Sequence, residues 1–312
     1  MTLPKTSGPL LLTDGGLETT LIFQDGVDLP HFAAFVLLRT PEGRRRLEEY
    51  YARYLDIAAR DRAGFVLETP TWRANPDWAE RLEIPLDELE ALNRRSIAMM
   101  HALKDRYADK VSPIVVSGCL GPRGDGYDPG QVMTDAEAQA YHAGQVRAFA
   151  EAGADVVSAI TMTNVPEAVG IARAAKAQGV ACVISFTLET DGRLPTGQGL
   201  GEAIAAVDAA TGGWPAYYMI NCAHPSHFEG ALAEGGAWLS RIGGLRANAS
   251  RRSHQELNDS PDLDDGDPEE LGREHAELLA KHPQIRVFGG CCGTDERHVA
   301  CISRACRELE AA

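Results

Sequence analysis

Several things are scarce in this 312-residue sequence. No apolar run approaches the ~20 residues that a membrane-spanning helix needs, and the opening MTLPKTSGPLLL lacks a signal-peptide pattern. The expectation is a cytoplasmic protein with no membrane partner. Positive charge is also short. Thirty Lys and Arg face 45 Asp and Glu, for a net charge of −15 with no basic stripe, which argues against nucleic acid and anionic membrane surfaces as partners. Lysine is rarer still. Lys5, Lys104, Lys110, Lys176 and Lys281 all fall in helical segments, at the terminus or before a strand, so no lysine is placed for Schiff-base chemistry. Seven cysteines, odd in number and irregular in spacing, do not make a disulfide framework. In a reducing compartment, clustered cysteines more often serve a metal or catalysis.

What is present is an alternation. Short β-branched or apolar runs occur at 9–13, 64–68, 112–118, 155–160, 180–186, 217–221, 241–246 and 285–289, separated by segments of helical period. Leu47, Tyr50, Tyr54 and Ala58 form one helical stripe, and Val299, Ile302, Cys306 and Leu309 another. The glycines in EAGAD (151–155) and AQGV (177–180) read as helix ends that feed the next strand. Eight strands, each followed by a helix and with no compositional break, predict an α/β fold: one (β/α)8 TIM barrel spanning residues 1–312 as a single domain. A doubly wound sheet would favour a glycine fingerprint after its first strand, and DGGLET (14–19) is not G-x-G-x-x-G. Three long polar loops, 121–131, 188–199 and 247–270, follow strands and so crowd the C-terminal face, where barrels place their chemistry.

That topology changes how the cysteines read. RVFGGCCGTDERH (286–298) puts Cys291 and Cys292 just past the eighth strand, and YYMINCAHPSH (217–227) puts Cys222 at the end of the sixth. Three thiolates on one rim can converge on a single ion, and Zn²⁺ accepts three protein ligands while keeping a fourth position open in catalytic sites. Cys119, Cys182, Cys301 and Cys306 are expected to be apolar filler. His224 and His227 are possible substitutes as ligands but more often would be solvated loop residues.

GGCCGT with a His in the following helix, INC at the end of strand six and DGG after strand one together resemble the homocysteine S-methyltransferase family. SGCLGPRGDGY (117–127) is similar to that family's third-strand loop, and ETPTW (68–72) to the second-strand segment of its cobalamin-dependent branch. The resemblance implies a zinc ion held by Cys222, Cys291 and Cys292, a thiol acceptor and a methyl donor. It also implies that Asp14, Gly15, Gly16, Glu68, Thr71 and Asn221 bind substrate. Asp14 would hold the acceptor's amino group, with the amides of Gly15 and Gly16 offered to its carboxylate.

One position departs from the family pattern. Aligning AGADVVSAITMTNVPEA (152–168) puts Ile160 where the family has a Glu that also grips the amino group. Either Glu68 supplies the charge from strand two, or the acceptor is a thiol other than homocysteine. The chain carries no folate or cobalamin module after its eighth helix, which favours a small donor: S-methylmethionine or S-adenosylmethionine, with betaine as a further candidate. The competing readings are a phosphate-binding barrel lyase, with Gly289 and Gly290 as the phosphate loop, and a non-catalytic zinc- or thiol-binding barrel.

Overall fold

A computed structural model describes residues 8–260 and 262–311. Eight parallel strands close into a barrel in sequence order: β1 (Leu11–Leu12), β2 (Gly64–Glu68), β3 (Ile114–Leu120), β4 (Val156–Met162), β5 (Ala181–Phe186), β6 (Tyr217–Asn221), β7 (Ile242–Ala247) and β8 (Val287–Gly290). The expected (β/α)8 barrel is therefore the fold. Each strand is followed in the chain by a main helix: α1 (Pro41–Asp61), α2 (Leu86–Tyr107), α3 (Asp135–Glu151), α4 (Val165–Ala177), α5 (Leu200–Thr211), α6 (Pro225–Ala233), α7 (Pro268–Lys281) and α8 (Glu296–Ala311).

Local chemistry sets the helix ends. The Thr40 side chain accepts from the Gly43 amide at the start of α1, where Pro41 occupies the first turn. Thr134 and Glu137 form a reciprocal capping box on α3. Gly153 and Gly179, past α3 and α4, take positive φ values of 88° and 66°, as helix-terminating glycines do. The apolar helix stripes pack onto the sheet, although Leu309, at the end of the last stripe, is exposed.

Side chains alternate across each strand, so every second residue points into the barrel. The interior is filled by Leu11, Val66, Val115, Val156, Val183, Tyr217, Met219 and Val287. Nearer the C-terminal ends of β2, β3, β4 and β7 the chemistry changes. On the same faces stand Glu68, Cys119, Ile160 and Arg246. The fold thus sets the charged Glu68 and Arg246, with the uncharged Cys119 and Ile160, above an apolar plug.

Asp295 fixes the junction from β8 to α8. Its side chain accepts from the Arg297 amide at 2.9 Å, from Gln24 Nε2 at 2.7 Å and from the Arg297 side chain, and it meets His298 Nδ1 at 2.9 Å. Burial alone would raise its pKa, but the hydrogen bonds from His298, Arg297 and Gln24 outweigh it and hold the carboxyl well below the usual carboxylate range. A depressed folded-state pKa contributes stability above the unfolded value, near 4, that is lost as pH falls below it. Asp295→Asn is therefore expected to cost roughly 1–2 kcal/mol near neutral pH. The difference from wild type should shrink as denaturant titrations are repeated below about pH 4.

Candidate active site at the C-terminal mouth

A pocket opens at the C-terminal end of the barrel. Its floor holds Cys222, Cys291 and Cys292, and its walls include Leu17, Phe32, Tyr51, Trp72, Tyr127 and Ile160. Cys222 follows β6, and Cys291 and Cys292 follow β8. Their three sulfurs lie within 4.8 Å of one another. This is the convergence expected from the sequence, with one difference: Cys222 and Cys291 are joined here as a disulfide, so metal binding requires the reduced protein. Tetrahedral thiolates about 2.3 Å from a zinc ion fall within that span, and three soft sulfur donors suit Zn²⁺.

The backbone around the cluster adopts conformations that non-glycine residues seldom do. Thr161 has φ 66° and Cys222 has φ 51°. Asn221 holds them. Its Oδ1 accepts from the Thr161 amide at 2.9 Å and from Ser185 Oγ at 2.6 Å, while its Nδ2 donates to Thr161 Oγ1 at 2.8 Å and lies 3.8 Å from Cys291 Sγ. On the other side, Tyr127 Oη lies 3.3 Å from Cys292 Sγ, and its ring stacks on His254 with centroids 4.0 Å apart. His254 Nε2 is 2.6 Å from the Cys222 carbonyl. Burial pushes the Cys292 thiol up, and the Tyr127 hydroxyl works against that shift.

Beside the sulfurs lies an ionic knot. Arg246 on β7 is buried and contacts Glu68 through Nη1, Asp14 Oδ1 through Nη2 at 2.7 Å, the Gly15 carbonyl at 3.3 Å and, through Nε, the Gly290 carbonyl at 3.1 Å. Asp14 Oδ2 accepts from Tyr50 Oη at 3.1 Å. Burial works against the guanidinium charge, but Asp14 and Glu68 outweigh it and keep Arg246 protonated. Burial pushes both carboxyls up while Arg246 pulls them down.

A family model described as Homocysteine S-methyltransferase matches residues 11–306. The chain belongs to the homocysteine S-methyltransferase family. It is accordingly a methyltransferase acting on a thiol. It is 26% identical over 313 residues to the homocysteine S-methyltransferase of Escherichia coli (strain K12), covering 94% of each chain. It is also 26% identical over 259 residues to the selenocysteine Se-methyltransferase of Brassica oleracea var. italica, covering 74% of this chain and 70% of that protein. Its barrel is similar to the metallated form of the homocysteine methyltransferase MmuM from Escherichia coli, with a TM-score of 0.74 at 22% identity over 96% of both chains, a likeness of fold.

Within this family member, the residues expected to bind substrate divide. Asp14, Gly15, Gly16 and Glu68 line the pocket, but not as free anchors, since both carboxylates are engaged by Arg246. The Gly16 amide donates to the Thr294 carbonyl at 2.9 Å and is not offered to a ligand. Gly16 is required for close packing: a Cβ there would stand 2.6 Å from the Cys291 carbonyl oxygen. Thr71 is fully buried behind the wall, where it donates to the Cys119 carbonyl at 2.8 Å, and its neighbours Thr69 and Trp72 are the ones that face the pocket. Asn221 likewise supports the site from behind.

His224 and His227 stand apart from the cluster: His224 caps α6 and meets Glu274 at 3.3 Å, and His227 lies 2.9 Å from the Arg251 carbonyl. Cys182 and Cys306 are buried filler, as expected, and Cys301 is half-buried on α8. Cys119 is not merely filler, since it lines the pocket.

Sequence reasoning also passed over Arg246, Tyr127, Trp72, Glu18 and Arg73. Arg246 carried a usable signal, being a charged residue at the C-terminal end of a predicted strand. Removing it would leave two buried carboxyls without their cation. Arg246→Met is therefore expected to lose about 3–5 kcal/mol at pH 8. Carboxyls whose folded-state pKa values are raised stabilise the fold at low pH and lose that contribution as pH rises through those values. Part of the loss should thus return at pH 5, and denaturant unfolding at the two pH values measures it.

Proposed function

We propose that the protein is a zinc-dependent S-methyltransferase that moves a methyl group from a small sulfonium donor to a small thiol. The observation that carries this reading is the three-sulfur cluster on the floor of a pocket walled by aromatic and apolar side chains. In the reduced protein, Cys222, Cys291 and Cys292 would hold the ion, which supplies Lewis acidity that lowers the pKa of an incoming thiol. Free thiols with pKa near 8.5 are mostly protonated at neutral pH, and the thiolate is the nucleophile.

The chain's own residues do the rest. Asn221 and Tyr127 orient the cysteine sulfurs from opposite sides. Glu18 lines the pocket with its carboxyl pushed up to about 7, chiefly by burial, a value suited to taking the thiol's proton at neutral pH. The thiolate sulfur forms a bond to the methyl carbon as the donor's sulfonium–methyl bond breaks, and a neutral thioether leaves. Trp72, Phe32 and Tyr127 wall the pocket with aromatic rings that suit a sulfonium cation, and Asp125 supplies negative charge nearby. S-Methylmethionine and S-adenosylmethionine fit that chemistry, and betaine remains a candidate as a quaternary ammonium.

The phosphate-loop reading of Gly289 and Gly290 finds no support. The Gly290 amide donates to the Asp14 carbonyl at 3.0 Å, and a Cβ on Gly289 would stand 2.8 Å from that same oxygen, so protein atoms fill the space. Family membership likewise counts against a non-catalytic barrel.

Reduced protein reconstituted with zinc is expected to bind about one ion per chain. Cys291→Ser or Cys292→Ser should abolish binding, and Cys306→Ser should leave it intact. Equal zinc in wild type and both rim variants, by metal analysis, would remove the metal site. Incubating the loaded protein with a panel of thiols and methyl donors, read by mass spectrometry, tests the reaction itself. No methylated thiol from any pairing would overturn it.

A further inference from the structure

The pocket contains two guanidinium groups, and they stand in opposite conditions. Arg246 is met by two carboxylates, Asp14 and Glu68, whose charges outweigh the burial that acts against its own. Arg73, in the loop after β2, also lines the pocket but has no such support. Its side chain is only 13% exposed, and its guanidinium carbon lies 4.0 Å from the centre of the Trp78 ring and 5.1 Å from that of Trp72. Burial pulls its pKa below the ordinary value, and Asp125 and Glu18 offset that only in part.

The hydrogen bonding of Arg73 is incomplete as well. A guanidinium carries five N–H donors in a fixed fork. Nη1 donates to the His31 carbonyl, and Nη2 reaches Asp125 Oδ2 at 3.4 Å, long for a charge-assisted bond. Asp125 is itself 45% exposed, and its Oδ1 accepts from the Tyr127 amide at 2.9 Å. Nε has no partner among the described residues. A buried cation so weakly compensated on a pocket wall is completed by an anion from outside the chain. A planar carboxylate matches its fork, because two oxygens can accept parallel N–H bonds.

We propose that Arg73 receives the carboxylate of an amino-acid substrate and is the residue that selects for it. The proposal rests on the reading of this pocket as the substrate site. Two carboxylates against one guanidinium at Arg246, and a guanidinium short of counter-charge at Arg73, polarise the pocket as a zwitterion requires. Homocysteine and S-methylmethionine both carry an α-carboxylate, so the group can come from the acceptor or from the donor.

Removing that carboxylate from each gives two further probes, 3-aminopropane-1-thiol and (3-aminopropyl)dimethylsulfonium. Calorimetric titration of reduced, zinc-loaded protein measures the binding of all four compounds. Arg73→Gln should weaken a carboxylated ligand by about ten-fold or more and its decarboxylated counterpart by no more than about two-fold. The pair that shows this difference names the source. Equal losses within both pairs would overturn the proposal, since they would make Arg73 a clamp between the loops of His31 and Asp125. Unchanged affinities, or no detectable binding of any of the four to wild type, would overturn it too. Mass spectrometry of homocysteine mixed with S-methylmethionine separates this result from the proposed reaction. Selective loss with no methylated thiol would sink methyl transfer and leave the role of Arg73 standing. Methylation by wild type together with equal losses would do the reverse. If Arg73→Gln does not fold, Arg73→Lys, which keeps the charge without the fork, takes its place. A several-fold loss confined to a carboxylated ligand is then expected, and equal losses would overturn the proposal.

Discussion

The contact on which the mouth of this barrel depends is the guanidinium of Arg246 held between Asp14 and Glu68. Those residues come from β7, the loop after β1 and the end of β2, and the same side chain reaches the Gly290 carbonyl of β8. One buried cation thereby ties four neighbouring segments across the seam where the barrel closes. An isolated charge there would be prohibitive, and so would either carboxylate without the arginine. The knot persists because Arg246 compensates both carboxylates at once.

Around that knot, chemistry and recognition occupy different strands. The sulfur cluster is built at the ends of β6 and β8 and is steadied by Asn221, Tyr127 and His254. The other groups that line the pocket come mainly from β2, β4 and β7 and from the loops after β1 and β3. A change such as an aliphatic residue at 160 can alter what is recognised without shifting a sulfur. The unusual φ values at Thr161 and Cys222 concentrate backbone strain next to the cluster, where Asn221 supplies the hydrogen bonds that hold it in place.

The strands and the cysteine rim were legible in the sequence for a definite reason. Parallel barrel strands are buried on both faces and read as short continuous apolar runs, such as the stretch that became β5. The glycine-flanked cysteine pair then had to sit on the same end of the barrel as Cys222. What the sequence hid were partnerships. Asp14 and Glu68 read as free carboxylates because their partner lies 232 and 178 residues away in the chain, and nothing local reveals that Arg246 points inward between them. Thr71 was expected at the substrate from the family resemblance of the ETPTW segment, and only the backbone path shows Thr69 and Trp72 facing the pocket while Thr71 turns behind it. The disulfide between Cys222 and Cys291 was equally unavailable, since proximity of three sulfurs is compatible with either a shared ion or a bond.

Barrel closure has a consequence for biosynthesis. β1 is two residues long and pairs with β8, joining Leu11 to Val287. A contact of such sequence separation is entropically late to form, and the ribosome releases β8 only after every other strand. Two of the three sulfurs travel with that strand. Until it emerges, a nascent chain holds Cys222 without its neighbours, and Arg246 has no Gly290 carbonyl to meet. Metal capture would then report that translation has passed the eighth strand, and a chain stalled before β8 would have neither a closed barrel nor a site able to retain the ion.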